Sequence, residues 1–374
     1  MKIKIVGLFV CMLFIITFLP VSGNMAIKEI TTGNDGTLSG YVNDTSMNPI
    51  EGALIRVSFH GTYEENYSDS SGYYHVTNIP ICWCMKNCTA SKVGCKREWV
   101  LLAIVENTTH DFILSLSKIL FVGGDGPGNY SKIQDAINDA NDGDTVFVYD
   151  DSSPYNESIN VNKSINLIGE NKQTTIIEGN GSIDVSADWV TISEFTILYD
   201  ISLDSCCNNT ISDNILSGKS WGNIELSYSC NNKITNNEIL NCIHGIELFY
   251  SSNNVISGNI ISNNGSDVSV SGISLFSSNN NMVTGNSISN CFFGLISGGS
   301  RENIIEKNNF IGNKINAIFA CSWRDILKGD YWDSNYWDRH TGNRPKIIFG
   351  IIGFWGVVPW INLDKNPAKE PYDI

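Results

Sequence analysis

Two glutamates occupy the same place in successive copies of a short phrase, Glu225 in "GNIELS" and Glu247 in "GIELFY". Read as strands, both phrases alternate: Ile224 and Leu226 point inward and Glu225 points outward. If the two phrases lie on adjacent parallel strands, the carboxyl groups sit ~5 Å apart. Like charges that close raise the pKa of one member, which makes an acid/base pair. Retaining glycosidases use two carboxyl groups at about that separation. The same oxygens could instead contribute to a calcium site. Ser202 and Ser274 extend the column on either side, and His244 stands just before the glycine of the second phrase. The plainer reading is a solvated outer face, which charged residues on a strand normally form.

The elements that would hold this pair are set by a repeat. Asn214, Asn237, Asn259, Asn286 and Asn308 form one column at spacings of 23, 22, 27 and 22. Gly222, Gly245, Gly272 and Gly294 form another at 23, 27 and 22, with Ala317 expected to continue it. Both columns shift together across "NNGSDVSVS", an insertion placed at a turn. Short apolar strands and polar turns at this period predict a β-solenoid whose coils stack ~4.8 Å apart. The Asn column is expected at sharp corners, where Asn tolerates unusual backbone angles and its amide can bond to the next coil as a ladder. The Gly column is expected where no Cβ fits. The repetition is therefore architecture and not in itself a sign of catalysis.

"GPGNYSKIQDAINDANDGDTVFVYD" reads as a short helix over residues 130–140, covering the open end of the solenoid, and then a strand. "YNESINVNKSINLIGENKQTTIIEG" and "ADWVTISEFTI" supply the first coils. These segments resemble the right-handed parallel β-helix proteins of the NosD-type and pectin-lyase-like superfamily, over about residues 119–374. The finish from "NYWDRHTGNRPKIIFG" onward resembles the tail of archaeal surface proteins in that group. The resemblance implies an extracytoplasmic protein, with copper handling as one role attached to the NosD label. His60, His75, His110, His244 and His340 are scattered, however, and methionines are few. The catalytic phrases of polygalacturonases and pectate lyases are missing, and "YNESINV", with Tyr155 and Glu157, only resembles the opening of pectin methylesterases. Arg301 is the sole arginine of the central coils and falls in a turn.

Residues 1–23 read as a secretory leader: Lys2 and Lys4, an apolar run over 5–19, then Val21-Ser22-Gly23. Removing it takes the formal charge from -15 to -17 by the loss of two lysines, which argues against nucleic acid as a partner. Membrane association is expected only through an uncleaved leader or through other surface proteins. Several Asn-x-Ser/Thr sequons permit N-glycosylation. Residues 24–117 read as a small β-sandwich of short alternating strands. "SGYVNDTSMNPIEGALIRV" and "YSDSSGYYHVTNIP" resemble the carboxypeptidase-regulatory-like, transthyretin-type domain, which implies a non-catalytic module. Cys82, Cys84, Cys88 and Cys95 crowd one loop, and outside the cell they are expected to form two disulfides in preference to a metal knot. Cys207 and Cys230 share a column and should come close enough to bridge; Cys242 and Cys291 share another, two coils apart.

The β-helix is expected over 118–345 and a C-terminal cap over 346–374, where the apolar run 347–361 is short for a membrane span and contains Pro359. Trp332, Trp337, Trp355 and Trp360 would build that cap or offer a platform for sugar rings. The expected role is structural or adhesive at the cell surface, with extracellular glycans as partners. The alternatives are a polysaccharide lyase or hydrolase acting through Glu225 and Glu247, and metal handling through the cysteines of 82–95.

Overall fold

The computed structural model describes residues 35–374 apart from 60–61, 93, 180, 218–223, 242, 264–270, 323–327, 341–343 and 354–356. The leader, Gly222, Cys242 and Trp355 lie outside the described residues. Among the described residues the structure is all-β with one short α-helix, Ile133–Asp139.

The first strands form two four-stranded sheets. Gly36–Asp44 is central to one, antiparallel to Tyr73–Ile79 and parallel to Asn107–Thr109 and Phe112–Leu114. Leu54–Phe59 is central to the other, flanked by Thr62–Tyr67 and Met85–Ser91. Inward positions such as Leu38, Val42, Ile55, Val57 and Val76 bury a shared core, as period-two alternation requires.

From Ile119 the chain winds as a parallel β-helix with three strands per coil. One of its three stacks holds nine strands, from Tyr155–Asn156 to Tyr336–Trp337. A continuous column of Ile, Leu and Val fills the interior. Every coil pairs only with its neighbours, so the register of one coil fixes that of the next.

The Asn column is a buried amide ladder. Asn214 Nδ2 donates to Asn237 Oδ1 at 3.2 Å, Asn237 to Asn259 at 3.1 Å, Asn259 to Asn286 at 2.9 Å and Asn286 to Asn308 at 2.9 Å. The left-handed backbone angle falls one residue earlier than expected, on Asp213, Asn236, Gly258, Gly285 and Lys307. That residue turns the corner, which leaves the ladder Asn free to point inward. A second ladder, five residues upstream, joins Asn232, Asn254, Asn281 and Asn303. Both ladders end on an aspartate, Asp330 and Asp364. The last rung has no further coil to donate to and only needs to accept, which suits a carboxylate.

The described members of the Gly column serve close approach. A Cβ on Gly245 would collide with the carbonyl oxygen of Gly272, and one on Gly294 with that of Asn316. Ala317 does not continue the column: it pairs with Leu295, so Asn316 is the residue opposite Gly294.

Both ends of the solenoid are covered. Ile133, Ala136 and Ile137 bury one face of the helix over the first coil. Its own N-cap side chain makes no hydrogen bond. Glu157, from the coil beneath, accepts from Ile133 N at 2.8 Å and Gln134 N at 3.0 Å. Lys163 Nζ donates to the carbonyls of Ile137, Asn138 and Ala140 at the other end. Glu157→Ala should therefore cost about 1–2 kcal/mol in a denaturant titration, through two orphaned N–H groups and a lost charge at the helix start.

At the far end Lys346–Gly353 and Val357–Asp364 form an antiparallel hairpin on the last coils. Trp332 and Trp337 are not a sugar platform. Both are buried in the core, Trp337 stacked on Phe310 at 4.5 Å and donating Nε1 to Asp364 at 3.0 Å. Trp360 remains half-exposed.

Cys207 and Cys230 are disulfide-bonded across adjacent coils with Cα atoms 4.6 Å apart. Within 82–95 there is one disulfide and not two: Cys82 pairs with Cys84, while Cys88 and Cys95 are free. Cys88 is buried in the sandwich core from Met85–Ser91, whereas Cys95, beyond the strand in the following loop, packs half-buried against the edge of the same core.

Candidate functional site

The outward column of the second stack runs Asp184, Ser202, Glu225, Glu247, Ser274 in direct register. Glu225 and Glu247 are thus opposite each other on adjacent coils, ~4.8 Å apart along the axis. They are not equally solvated. Glu225 is half-buried and accepts from Ser227 Oγ at 3.0 Å. Glu247 is only 8% exposed. Burial first, then the negative charges of Glu225 and Asp200, push the Glu247 carboxyl up to about 7.

His244, in the same strand as Glu247, places Nδ1 3.5 Å from Glu247 Oε1. The same nitrogen makes a 2.7 Å hydrogen bond with Ser271 Oγ, whose direction follows the imidazole tautomer. Ser271 Oγ in turn lies 2.8 Å from Ser274 Oγ. Burial holds the His244 pKa below its ordinary value, which favours the neutral ring. Because Nδ1 faces both the serine and the carboxylate, this is not a relay that passes a proton through the two ring nitrogens. It is a polar cluster built around a carboxyl group poised near neutrality.

Three residues beyond each glutamate the chain turns a corner at Tyr228 and Tyr250, both with positive φ. Their rings stack at 5.2 Å with planes 5° apart, and they are 65% and 59% exposed. Hydrogen bonds from Ser205 N to Ser227 O, Tyr228 N to Phe249 O, Tyr250 N to Phe276 O and Ser277 N to Gly298 O define the corner column. Small residues, Ser205 and Ser277, therefore flank the tyrosine pair, so the outer face of each ring is not covered by another large side chain. The tyrosines were not singled out from the sequence. The signal was present as "ELSY" and "ELFY" at 225–228 and 247–250.

Among the described residues, no Lys or Arg pairs with Glu225 or Glu247, and no three His, Cys, Asp or Glu side chains converge as a metal site. Tyr155 and Glu157 serve the N-terminal end, Tyr155 by donating to Tyr149 O at 2.7 Å.

The model of the family described as periplasmic copper-binding protein (NosD) matches residues 137–342, more than half of the chain. The chain belongs to the NosD family. No curated protein matches this NosD-family chain. Among solved structures it is similar to the Dettilon tailspike protein, with 11% identity and a TM-score of 0.45, covering 59% of this chain and 50% of the tailspike. It is also similar to the catalytic domain of an α-1,3-glucanase, with 13% identity, a TM-score of 0.43 and coverage of 78% and 68%. An alginate lyase from Paenibacillus is similar at 14% identity and a TM-score of 0.35, covering 53% and 91%. At these levels of identity and superposition the three say nothing about activity.

Proposed function

We propose that this NosD-family protein is an extracytoplasmic β-helix that binds glycan along one flank. The observation that supports this is the pairing of Glu225 with Tyr228 and Glu247 with Tyr250 on consecutive coils. Exposed aromatic faces stack on the apolar faces of sugar rings, and a carboxylate three residues away along the strand, about 10 Å, is within the span of the next sugar unit, whose hydroxyls it can accept from. The formal charge of -15 and the carboxyl pair disfavour acidic polymers, so the ligand class is neutral or amino-sugar polysaccharide.

The test is isothermal titration with soluble neutral, cationic and acidic oligosaccharides. Tyr228→Ala with Tyr250→Ala should weaken binding about tenfold or more, at ~1 kcal/mol for each ring. Binding that is unchanged in the double variant sinks this reading.

A second reading, a hydrolase or lyase, is favoured by Glu247 being an acid near neutrality beside Glu225. It requires polysaccharide cleavage that disappears in Glu225→Gln or Glu247→Gln. Copper, suggested by the family description, does not fit the described residues. His75, His110, His244 and His340 lie in separate elements, Met47 and Met85 are solitary and exposed, and no cluster of three ligands forms. The same lack of converging ligands applies to calcium among the described residues.

A further inference from the structure

Lys86 presents a charge problem. It sits at an inward position of Met85–Ser91 and has 0% exposure. No carboxylate of the described residues pairs with it. Its Nζ instead donates to Cys82 Sγ at 2.9 Å and lies 3.5 Å from Cys84 Sγ. A buried ammonium is costly unless an anion accompanies it. The groups in reach that can become anionic are those two thiols and Cys88, and burial opposes ionisation of Cys88. The turn that carries them is tied down by a hydrogen bond from Cys82 N to Ile104 O at 3.2 Å. Cys82 and Cys84 are themselves half-buried, and Trp83 between them is 84% exposed. Reactive cysteines occupy this kind of surrounding, electropositive and partly open.

We propose that Cys82 and Cys84, with Lys86 beneath them, form a thiol–disulfide exchange site that oxidises dithiols of partner proteins, with Trp83 as an apolar contact for the partner. The two redox states differ in charge. In the disulfide the sulfurs are neutral and the ammonium has no counter-ion; in the dithiol a Cys82 thiolate supplies one. Lys86 therefore favours the reduced form and makes the disulfide a ready oxidant. Burial lowers the Lys86 pKa as well, in keeping with an ammonium that needs this partner. Cys88, two residues on, is held inert, its thiol pushed up to about 12 by burial.

The exchange balances as follows. A partner thiolate attacks Cys84 Sγ, the Cys82–Cys84 bond breaks, and its electron pair stays on Cys82 as the thiolate beside Lys86. The partner's second thiol loses its proton to solvent and attacks the partner sulfur of the mixed disulfide. Cys84 leaves as a thiolate and takes a proton from solvent. The partner dithiol is oxidised by two electrons and the Cys82–Cys84 pair is reduced by two.

The test uses the full chain, reduced under native conditions, with alkylation of each cysteine followed against pH by peptide mass spectrometry. Cys82 should titrate at least one pH unit below the ~8.5 of a free cysteine. In Lys86→Met the midpoint should rise by a unit or more, and in glutathione buffers the disulfide should become about tenfold harder to reduce. Lys86→Arg should retain both properties. Cys84→Ser, which leaves Lys86 in place, should keep the low Cys82 midpoint and provides a reading even if Lys86→Met does not fold. An ordinary Cys82 midpoint in the unaltered chain and in Cys84→Ser overturns the proposal, as does a glutathione equilibrium that Lys86→Met leaves unmoved.

Discussion

Asn259→Ala should destabilise the β-helix by about 3 kcal/mol or more, among the largest losses available from one side chain outside the apolar column. Asn259 is fully buried and satisfied on both sides. Its Oδ1 accepts from Asn237 N at 3.0 Å and Asn237 Nδ2 at 3.1 Å. Its Nδ2 donates to Ile234 O at 2.9 Å and to Asn286 Oδ1 at 2.9 Å. Alanine orphans the buried Asn237 N–H below and takes the amide donor from Ile234 O, at ~1–3 kcal/mol for each unsatisfied group, while Asn286 Oδ1 keeps the backbone N–H of residue 259. Asn259→Asp is the instructive companion. It restores the acceptors but puts a carboxylate against Asn286 Oδ1, so at neutral pH it should be no better than alanine and should recover as pH falls. Asp364, at the ladder's end, faces only donors, Asn335 N, Asn335 Nδ2 and Trp337 Nε1. Urea midpoints for Asn259→Ala, Asn259→Asp and Asp364→Asn check this. Equal losses at both places would mean the ladder is not polarised along the axis.

The fold class was legible because a solenoid repeats its constraints: Ile, Asn and Gly columns recur at one period, and a single insertion shifts them all. The β-helix from Ile119 onward and the buried amide ladder follow from that pattern. The second ladder was hidden by its closeness to the first. Asn232 and Asn237, or Asn254 and Asn259, lie five residues apart and read as one Asn-rich phrase, although two corners are being built. Ala317 was misplaced because one residue of register cannot be judged in a strand where Ile315, Ala317 and Phe319 could all face the core.

The site was legible only in part, for a different reason. Alternation puts Glu247 on the outer face correctly, but outward means solvated only when nothing lies over the strand. The tyrosine stack was not legible because Tyr is an ordinary turn residue in one coil, and forms an exposed stacked pair only when its repeat-mate sits directly above it between two serines. Of the two readings open for the tryptophans, Trp332 and Trp337 follow the cap: closing the end of an apolar column needs large side chains inside it, and both are buried there.

Glu247 gives the second large expectation, in pH dependence. Its folded-state carboxyl titrates at about 7 against 4.5 for the free group. Between those values the folded chain holds a proton that the unfolded chain has lost. The stabilisation from this proton is complete below about pH 4.5 and is lost as pH rises through about 7. A shift of that size corresponds to roughly 3 kcal/mol between the two limits. The Tm should therefore fall as pH is raised from 4.5 to 8. Glu247→Gln, which keeps the neutral shape, should remove most of that slope and be the more stable protein at pH 8. Glu225→Gln should flatten it partly, since the Glu225 charge is the second contributor after burial. If Glu247→Gln leaves the slope intact, the carboxyl is solvated and ionised at neutral pH. In that case Glu225 and Glu247 are two surface charges, the hydrolase reading loses its acid, and any glycan contact on this flank falls to the tyrosines alone.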